Sequence, residues 1–459
     1  MMELDNGIFL EQVEEMVEKR RWQELREMLV LLEPQDIELV ISELPDDRLP
    51  LIYRLLPKEL AAEVFVEMES EVQELLIRSF SDAELREVLS ELYVDDTVDI
   101  IEEMPATVVK RILHHADPET RRSINEILKY PEDSAGSIMT TEFVDLKKDM
   151  TVEDAFKRIR RTGVDKETIN ICYVTDERRH LLGIVSIRTL LLAEPEDLIG
   201  EIMETNYISV TTMDDKEEVA QNLSKYDFLA MPVVDQECRL VGIVTIDDAI
   251  DVMEEAATED IEMMAAITPT DKPYLRAGVW ETVKSRIPWL MLLMLSATFT
   301  GIVITGFESS LAACSVLISF IPMLMGTGGN CGNQSSVAVI RSLSLGEVDF
   351  RDFFRVLWKE SRVALVCGTL LASANFVKLL IVDRWMMNNP EVTVVVALVI
   401  SLTLVCTVFC AKVVGCLLPL LAEKIGLDPA VMAAPFISTI VDVLSLLIYF
   451  WFAMNILGL

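Results

Sequence analysis

Apolar and polar positions alternate in four different ways along this chain, and each pattern predicts a different kind of element. Up to about residue 130 the apolar residues recur at helical steps. Turn signals at Pro34, Pro45, Pro57, Glu69-Ser70, Ser81-Asp82, Asp95-Asp96, Pro105 and Asp117-Pro118 break the pattern at intervals of about twelve residues. One short helix and one turn fill such a period, so the stretch predicts an all-α stack of short helices, a small solenoid, over residues 1–130. After the linker Pro131 to Gly136 short strands alternate with helices, and they do so twice, over 137–199 and 200–250. Residues 246–268 then read as one long helix ended by Pro269 and Pro273, with Ile246, Ile250, Met253, Ala257, Ile261 and Met264 on one stripe. Five apolar stretches follow, near 287–307, 311–340, 363–383, 392–420 and 428–457. Each is long enough to cross the roughly 30 Å of a bilayer's hydrocarbon core. The predicted fold is therefore multidomain: an all-α helical repeat, an α/β tandem pair, a connector helix and a five-helix membrane domain over 271–459.

Charge divides the chain at the same place. The 459 residues carry 75 acids against 40 bases, a net of −35, although 51% of them are apolar. Residues 1–270 hold 63 acids against 27 bases, and residues 271–459 hold 12 against 13. So acidic a surface repels nucleic acid and attracts cations. The acidic start Met-Met-Glu-Leu-Asp-Asn leads into an amphipathic helix and does not read as a signal peptide. Lys272, Arg276, Lys284 and Arg286 precede the first apolar stretch, and Arg341, Arg351, Arg355, Lys359 and Arg362 lie between the second and third. That asymmetry predicts a cytoplasmic N-terminus and, with an odd number of spans, an external C-terminus.

The two α/β units echo each other. Leu182-Gly-Ile-Val-Ser186 and Val241-Gly-Ile-Val-Thr245 close them. The tandem resembles a pair of CBS domains, a family that binds adenine nucleotides through the hydroxyl after Gly-x-Val and an aspartate three residues on. Thr245 and Asp248 occupy those places in the second unit; the first has Ser186 but Thr189, so only the second cleft is a candidate for ATP or another adenine nucleotide. The eight cysteines form no metal-binding spacing, and His114 and His115, adjacent on a helix, are expected to point apart as surface residues.

Two features inside the apolar half are costly there. One is Gly326-Thr-Gly-Gly-Asn-Cys-Gly-Asn-Gln-Ser-Ser336, read as a segment broken at Pro322 that frees backbone carbonyls; the other is Asp442. A carboxylate at membrane depth costs about 3 kcal/mol, and irregular backbone is tolerated only where it lines a wet cavity or is packed in protein. Pro435, Ser438, Thr439 and Asp442 share one helix face. Lys378 and Lys412 are the only intramembrane bases, and a locking ion pair between one of them and Asp442 is the bland alternative to an ion path. The glycine stretch lacks the Gly-Lys-Ser/Thr of a phosphate loop. Asn330, Asn333 and Gln334, the glycines Gly328, Gly329 and Gly332, and one carboxylate offer oxygen only, which suits a hard cation that keeps its waters, as Mg²⁺ does.

The order of parts, with Gly-Gly-Asn-Cys-Gly-Asn-Gln and Ser-Thr-Ile-Val-Asp, resembles the MgtE magnesium channel family over essentially the whole chain. Where members usually have Thr-Thr before the pore aspartate, this chain has Ser438-Thr439. The resemblance implies a multi-pass protein of the bacterial inner membrane, a homodimer with its pore on the twofold axis, and closure by intracellular Mg²⁺ bridging acidic surfaces. Acid clusters at Asp95/Asp99, Asp227, Asp247/Asp251 and Glu255/Glu259 are the expected bridging sites; without cations they repel one another. No nucleophile–base pair is visible, so no enzymatic activity is expected. The alternatives are a proton-coupled carrier of Mn²⁺, Co²⁺ or Ni²⁺ and a membrane-tethered nucleotide sensor.

Overall fold

In the computed structural model, residues 12–458 are described except 14, 43, 46, 271–273, 275, 276, 309–311, 313 and 433, and the side chains of 165, 432, 434 and 435. Lys272 and Arg276 thus lie outside the described residues. The chain divides into two compact units, Met1–Met253 and Glu254–Leu459.

The first unit opens with short helices: α1 (Trp22–Leu29), α2 (Pro34–Ser42), α3 (Leu49–Tyr53), α4 (Lys58–Val66), α5 (Ser70–Ser79), α6 (Asp82–Leu89), α7 (Val94–Glu103), α8 (Ala106–His115) and α9 (Pro118–Ile127). The period is twelve residues in the structure as well, and it has a physical cause. In most of these helices one residue and another four later are buried in register: Leu25 and Leu29, Ile37 and Ile41, Leu49 and Tyr53, Ala61 and Phe65, Leu85 and Leu89. Positions one turn apart share a face, so each helix presents a single apolar edge to its neighbours and none could bury that edge alone. Gln73, Asp95 and Thr97 are the buried polar side chains of these helices; Gln73 Nε2 donates to the Phe65 carbonyl at 2.9 Å, and Thr97 Oγ1 donates to the Tyr93 carbonyl at 2.9 Å. Side-chain caps set several of the turns. Ser81 and Glu84 form a capping box on α6, and Asp117 accepts from the amides of Glu119 and Thr120 with Pro118 in the first turn of α9.

Two three-stranded sheets follow. In the first, β1 (Phe143–Lys147) runs parallel to β2 (Thr168–Thr175), which pairs antiparallel with β3 (Leu181–Ser186). In the second, β4 (Val210–Thr211), β5 (Ala230–Val234) and β6 (Leu240–Thr245) repeat that arrangement. Helices α10 (Val152–Thr162) and α11 (Ile187–Leu192) accompany the first sheet, the short α12 (Ile199–Ile202) leads to the second, and α13 (Lys216–Tyr226) accompanies it. The echoed glycines have a packing reason. The opening segment of each half lies against the closing strand of the other, so a Cβ on Gly183 would come within 2.7 Å of the Glu204 carbonyl, and one on Gly242 within 2.8 Å of the Thr140 carbonyl. Helix α14 (Ile246–Met264) leaves β6 directly. It ends four residues short of the expected 268. Ala266 takes a left-handed conformation (φ 58°), and the Ile267 amide closes the end onto the Glu262 carbonyl at 2.9 Å, before either proline is reached.

The second unit is a bundle of α15 (Val279–Gly306), α16 (Ile321–Ser344), α17 (Phe353–Lys378), α18 (Val394–Lys424) and α19 (Ala434–Leu457). A π-helical turn, Leu379–Met386, prolongs α17. Four helical stretches, Val279–Gly306, Phe350–Met386, Val394–Lys424 and Phe436–Leu457, are long and apolar enough to cross a membrane. Helix α16 has 24 residues and packs against α18 and α19, but glycine, asparagine and serine lower its hydropathy. Helix α18 is central, with Val399, Ile400, Val408 and Ala411 fully buried.

A candidate ion path and an acidic cluster

The glycine-rich stretch is regular helix, contrary to the sequence expectation of a broken segment with freed carbonyls. Pro322 stands in the first turn of α16, where its missing amide costs nothing, and the helix continues unbroken to Ser344. The glycines serve close packing. A Cβ on Gly328 would lie 2.8 Å from Thr407 and Val441 side-chain carbons and 3.0 Å from Ser445 Oγ. On Gly332 it would meet Ile437 at 2.6 Å, and on Gly415 of α18 it would sit 2.2 Å from the Gly332 carbonyl oxygen. Three backbones therefore converge, as small residues permit between membrane helices. Gly329 faces Ser438, whose Oγ is 3.7 Å from the position of such a Cβ.

On α16 the opposite edge is polar and open: Asn330 and Gln334, one turn apart, are exposed, while Asn333 turns inward and its Oδ1 is buried without a hydrogen-bond partner. Ser438, Thr439 and Asp442 lie along one half-buried face of α19; the Pro435 side chain lies outside the described residues. Neither intramembrane lysine reaches Asp442. Lys378 Nζ is 2.9 Å from Asp383, and Lys412 Nζ is 3.7 Å from Glu360. Among the described residues, Asp442 has no ion-pair partner.

In the first unit a second site forms from carboxylates of four segments. Asp95 and Asp96 on α7 face Asp247 and Asp248 at the start of α14, together with Glu142 and Glu167 beside β1 and β2. Asp95 is 6% exposed, and its Oδ1 and the Glu167 Oε2 are buried without hydrogen-bond partners. Burial, with the neighbouring Asp248 and Asp96 charges, holds Asp95 well above the usual carboxylate range. For the same reasons Asp96 is pushed up to about 6, Asp248 to about 7 and Glu167 to about 8. Among the described residues no three side chains are close enough to ligate one ion directly. Asp99, Asp247 and Asp251 are exposed on their helices, and Asp227 ends α13 in a left-handed conformation (φ 54°). Glu255 and Glu259 are exposed on the part of α14 that belongs to the second unit. There the end of α14 is tied to the end of α16: Ser344 Oγ donates to Asp260 Oδ2 at 2.8 Å, and Met263 and Met264 pack on Ile340 and Ala430.

Sequence reasoning missed Glu142 and Glu167 as members of this site, since only the folded β-strands bring them to α7. In the second CBS-like half Thr245 is buried, its hydroxyl hydrogen-bonds Asp248, and its amide donates to the same carboxylate at 3.4 Å, which also caps α14. His114 and His115 do not point apart: their rings stack 5.0 Å between centroids, because the His115 Nε2 turns to within 3.4 Å of Asp82 on α6.

A helical membrane bundle joined to an acidic helical repeat and a CBS pair defines a class of membrane protein. Family models match in the same order: the MgtE intracellular N domain at 32–133, CBS domains at 135–196 and 199–255, and the MgtE divalent cation transporter domain at 321–452. The chain is 38% identical to the magnesium transporter MgtE of Thermus thermophilus over 93% of both chains, and 32% identical to that of Bacillus subtilis over 94% of this chain and 93% of the relative. It also aligns with a crystal structure of the cytosolic domain of the Mg²⁺ channel MgtE in complex with ATP, at 38% identity and a TM-score of 0.51, over 53% of this chain and 99% of that one. The chain belongs to the MgtE family of divalent cation transporters.

Proposed function

We propose that this chain is a Mg²⁺ channel of the inner membrane, closed when intracellular Mg²⁺ binds its acidic domains. The observation that carries the proposal is Asp442, a carboxylate in an apolar bundle whose two candidate counter-charges are both engaged elsewhere. An unpaired carboxylate in a membrane helix marks an ion route by default. Ser438 and Thr439 supply hydroxyls on the same helix face, and Asn330 and Gln334 present amides outward from the protomer. Outward amides at membrane depth need water or a second copy, which supports a homodimer with these residues and Asp442 around a shared path. Gly328, Gly329 and Gly332 let the helices approach closely enough to build it. An oxygen-only lining suits an ion that keeps most of its hydration shell.

The domains we assign are 1–130 and 137–250 as regulatory parts, 246–268 as connector and 271–459 as the pore, with α16 as a fifth span, the N-terminus cytoplasmic and the C-terminus outside. The acid cluster around Asp95, with Asp99, Asp227, Asp247, Asp251, Glu255 and Glu259, would hold hydrated Mg²⁺ by bridging. The tie between the end of α14 and the end of α16 carries that signal to the bundle. ATP is assigned to Thr245 and Asp248; the relative crystallised with ATP supports this.

The test is flux into liposomes holding a Mg²⁺-sensitive dye. The parent chain fills them, and Asp442→Ala is expected to lose at least about tenfold of the rate. A parental rate in Asp442→Ala would remove the proposal. Linear current against voltage, unaffected by a pH gradient, separates a channel from a proton-coupled carrier.

A further inference from the structure

Lys412 on α18 is, among the described residues, the buried base of the molecule: it is 5% exposed. Its Nζ donates to Ser335 Oγ of α16 at 3.1 Å and lies 3.7 Å from Glu360 Oε2 of α17. Ser335 Oγ in turn donates to Glu360 Oε2 at 2.6 Å. Three helices thus meet in one closed network, with side-chain exposures of 7% for Lys412 and 13% for Glu360. One turn away on the same two helices is the tightest backbone contact of the bundle, Gly415 on Gly332. The other side of Gly332 packs on Ile437 and Val441 of α19, the neighbours of Ser438 and Asp442.

Stability is weak ground for keeping such a network. Replacing a buried ion pair by apolar residues of similar size is often neutral or favourable, whereas removing one partner leaves an uncompensated charge. A positive charge in a low-dielectric bundle would also act at long range on any cation passing nearby.

We propose that Glu360 is a positioning and charge-silencing residue for ion conduction: it neutralises Lys412, and through Ser335 it fixes the rotation of α16 that presents Asn330 and Gln334. The inference rests on the conduction path proposed above. Among the described residues, Asp442 then remains the uncompensated charge acting on that path. Glu360→Gln keeps the shape but exposes the path to the Lys412 charge. Lys412→Met removes the charge and leaves Glu360 without its base. The pair of changes together restores neutrality.

The experiment compares Mg²⁺ influx and the Mg²⁺/Na⁺ permeability ratio in liposomes for Glu360→Gln, Lys412→Met and the double variant, each first checked for a monodisperse detergent peak. Glu360→Gln is expected to lose about tenfold of the influx, since an unscreened charge in a dry bundle acts strongly. The double variant recovers to within about threefold of the parent, because the charge is gone with its partner. Lys412→Met leaves the Glu360 carboxylate unpaired beside the path, which favours a divalent over a monovalent ion, so it raises the permeability ratio; an unchanged ratio overturns the proposal. Parental influx in Glu360→Gln overturns the proposal, as does a double variant as defective as the single one in monodisperse protein. If Glu360→Gln is not monodisperse, the exchanged pair Glu360→Lys with Lys412→Glu decides: influx near parental sustains the proposal, and its loss overturns it. Should the parent itself fail to conduct, it is the channel reading that falls, and the variant series separates the two failures.

Discussion

At the scale of single residues, the glycines of α16 and α18 divide into two kinds, and substitution separates them. Gly415 has no room for a methyl group, since a Cβ there would stand 2.2 Å from the Gly332 carbonyl oxygen and only backbone could move aside. Gly326, in the same helix as Gly332, has nothing within 4 Å. Gly415→Ala is therefore expected to cost about 1–3 kcal/mol through overpacking and to reduce flux, while Gly326→Ala leaves both unchanged. Thermal unfolding and liposome influx on the two variants check this, and equal effects would contradict the packing account. Composition showed where the glycines were but not what they do. The cost of polar residues in a membrane segment was legible; whether they break a helix or bring two helices together depends on α18 and α19, more than seventy residues away. Asp442 was legible for the opposite reason, because its cost needs no neighbour to be seen. Glu360 was not, since in the sequence it stands beside the bases Lys359 and Arg362, and only the fold brings Lys412 of α18 against it.

Among the elements, the solenoid was the most readable part, because its period is local. Each short helix needs one turn signal and one apolar edge, and both are written within twelve residues. The CBS pair was readable from the echo of Gly-Ile-Val, yet the reason for the glycines was not, since it lies in the crossing of each half's opening segment over the other half. Helix α14 differs from the sequence expectation at its end: Pro269 and Pro273 predict the stop, but the chain turns earlier at Ala266 with φ 58°. An alanine pays a steric penalty in that conformation that glycine does not. Ala266→Gly is expected to raise the stability of the α14 terminus by about 0.5–1 kcal/mol, as for glycine at a left-handed helix end. Slower hydrogen exchange of the Ile267 amide would register it, and faster exchange would show that the left-handed geometry is not what ends the helix.

For the whole molecule, the acidic excess is a store of repulsion whose size depends on protons and cations alike. Asp95, Asp96, Asp248 and Glu167 all have raised proton affinity in the folded chain, chiefly from burial and then from one another. In that pH range the folded state binds more protons than the unfolded one, so stability is present in acid and falls as pH rises through about 6 for Asp96, 7 for Asp248 and 8 for Glu167. A divalent cation needs the ionised form, so its stabilising effect must grow over the same range in which protons leave. Hydrogen exchange of α7 amides in the full-length protein, without divalent ions, is expected to speed up from pH 5.5 to pH 8.5. Millimolar Mg²⁺ slows it strongly at pH 8.5 and little at pH 5.5. Asp95→Asn removes the most buried of these charges, so it should flatten the pH dependence and weaken the Mg²⁺ effect together. Exchange that slows as pH rises, after correction for the intrinsic rate, would mean that the cluster is stabilised by ionising. The acids would then be paired by something other than a cation, and the closure by intracellular Mg²⁺ proposed above would lose its site at α7.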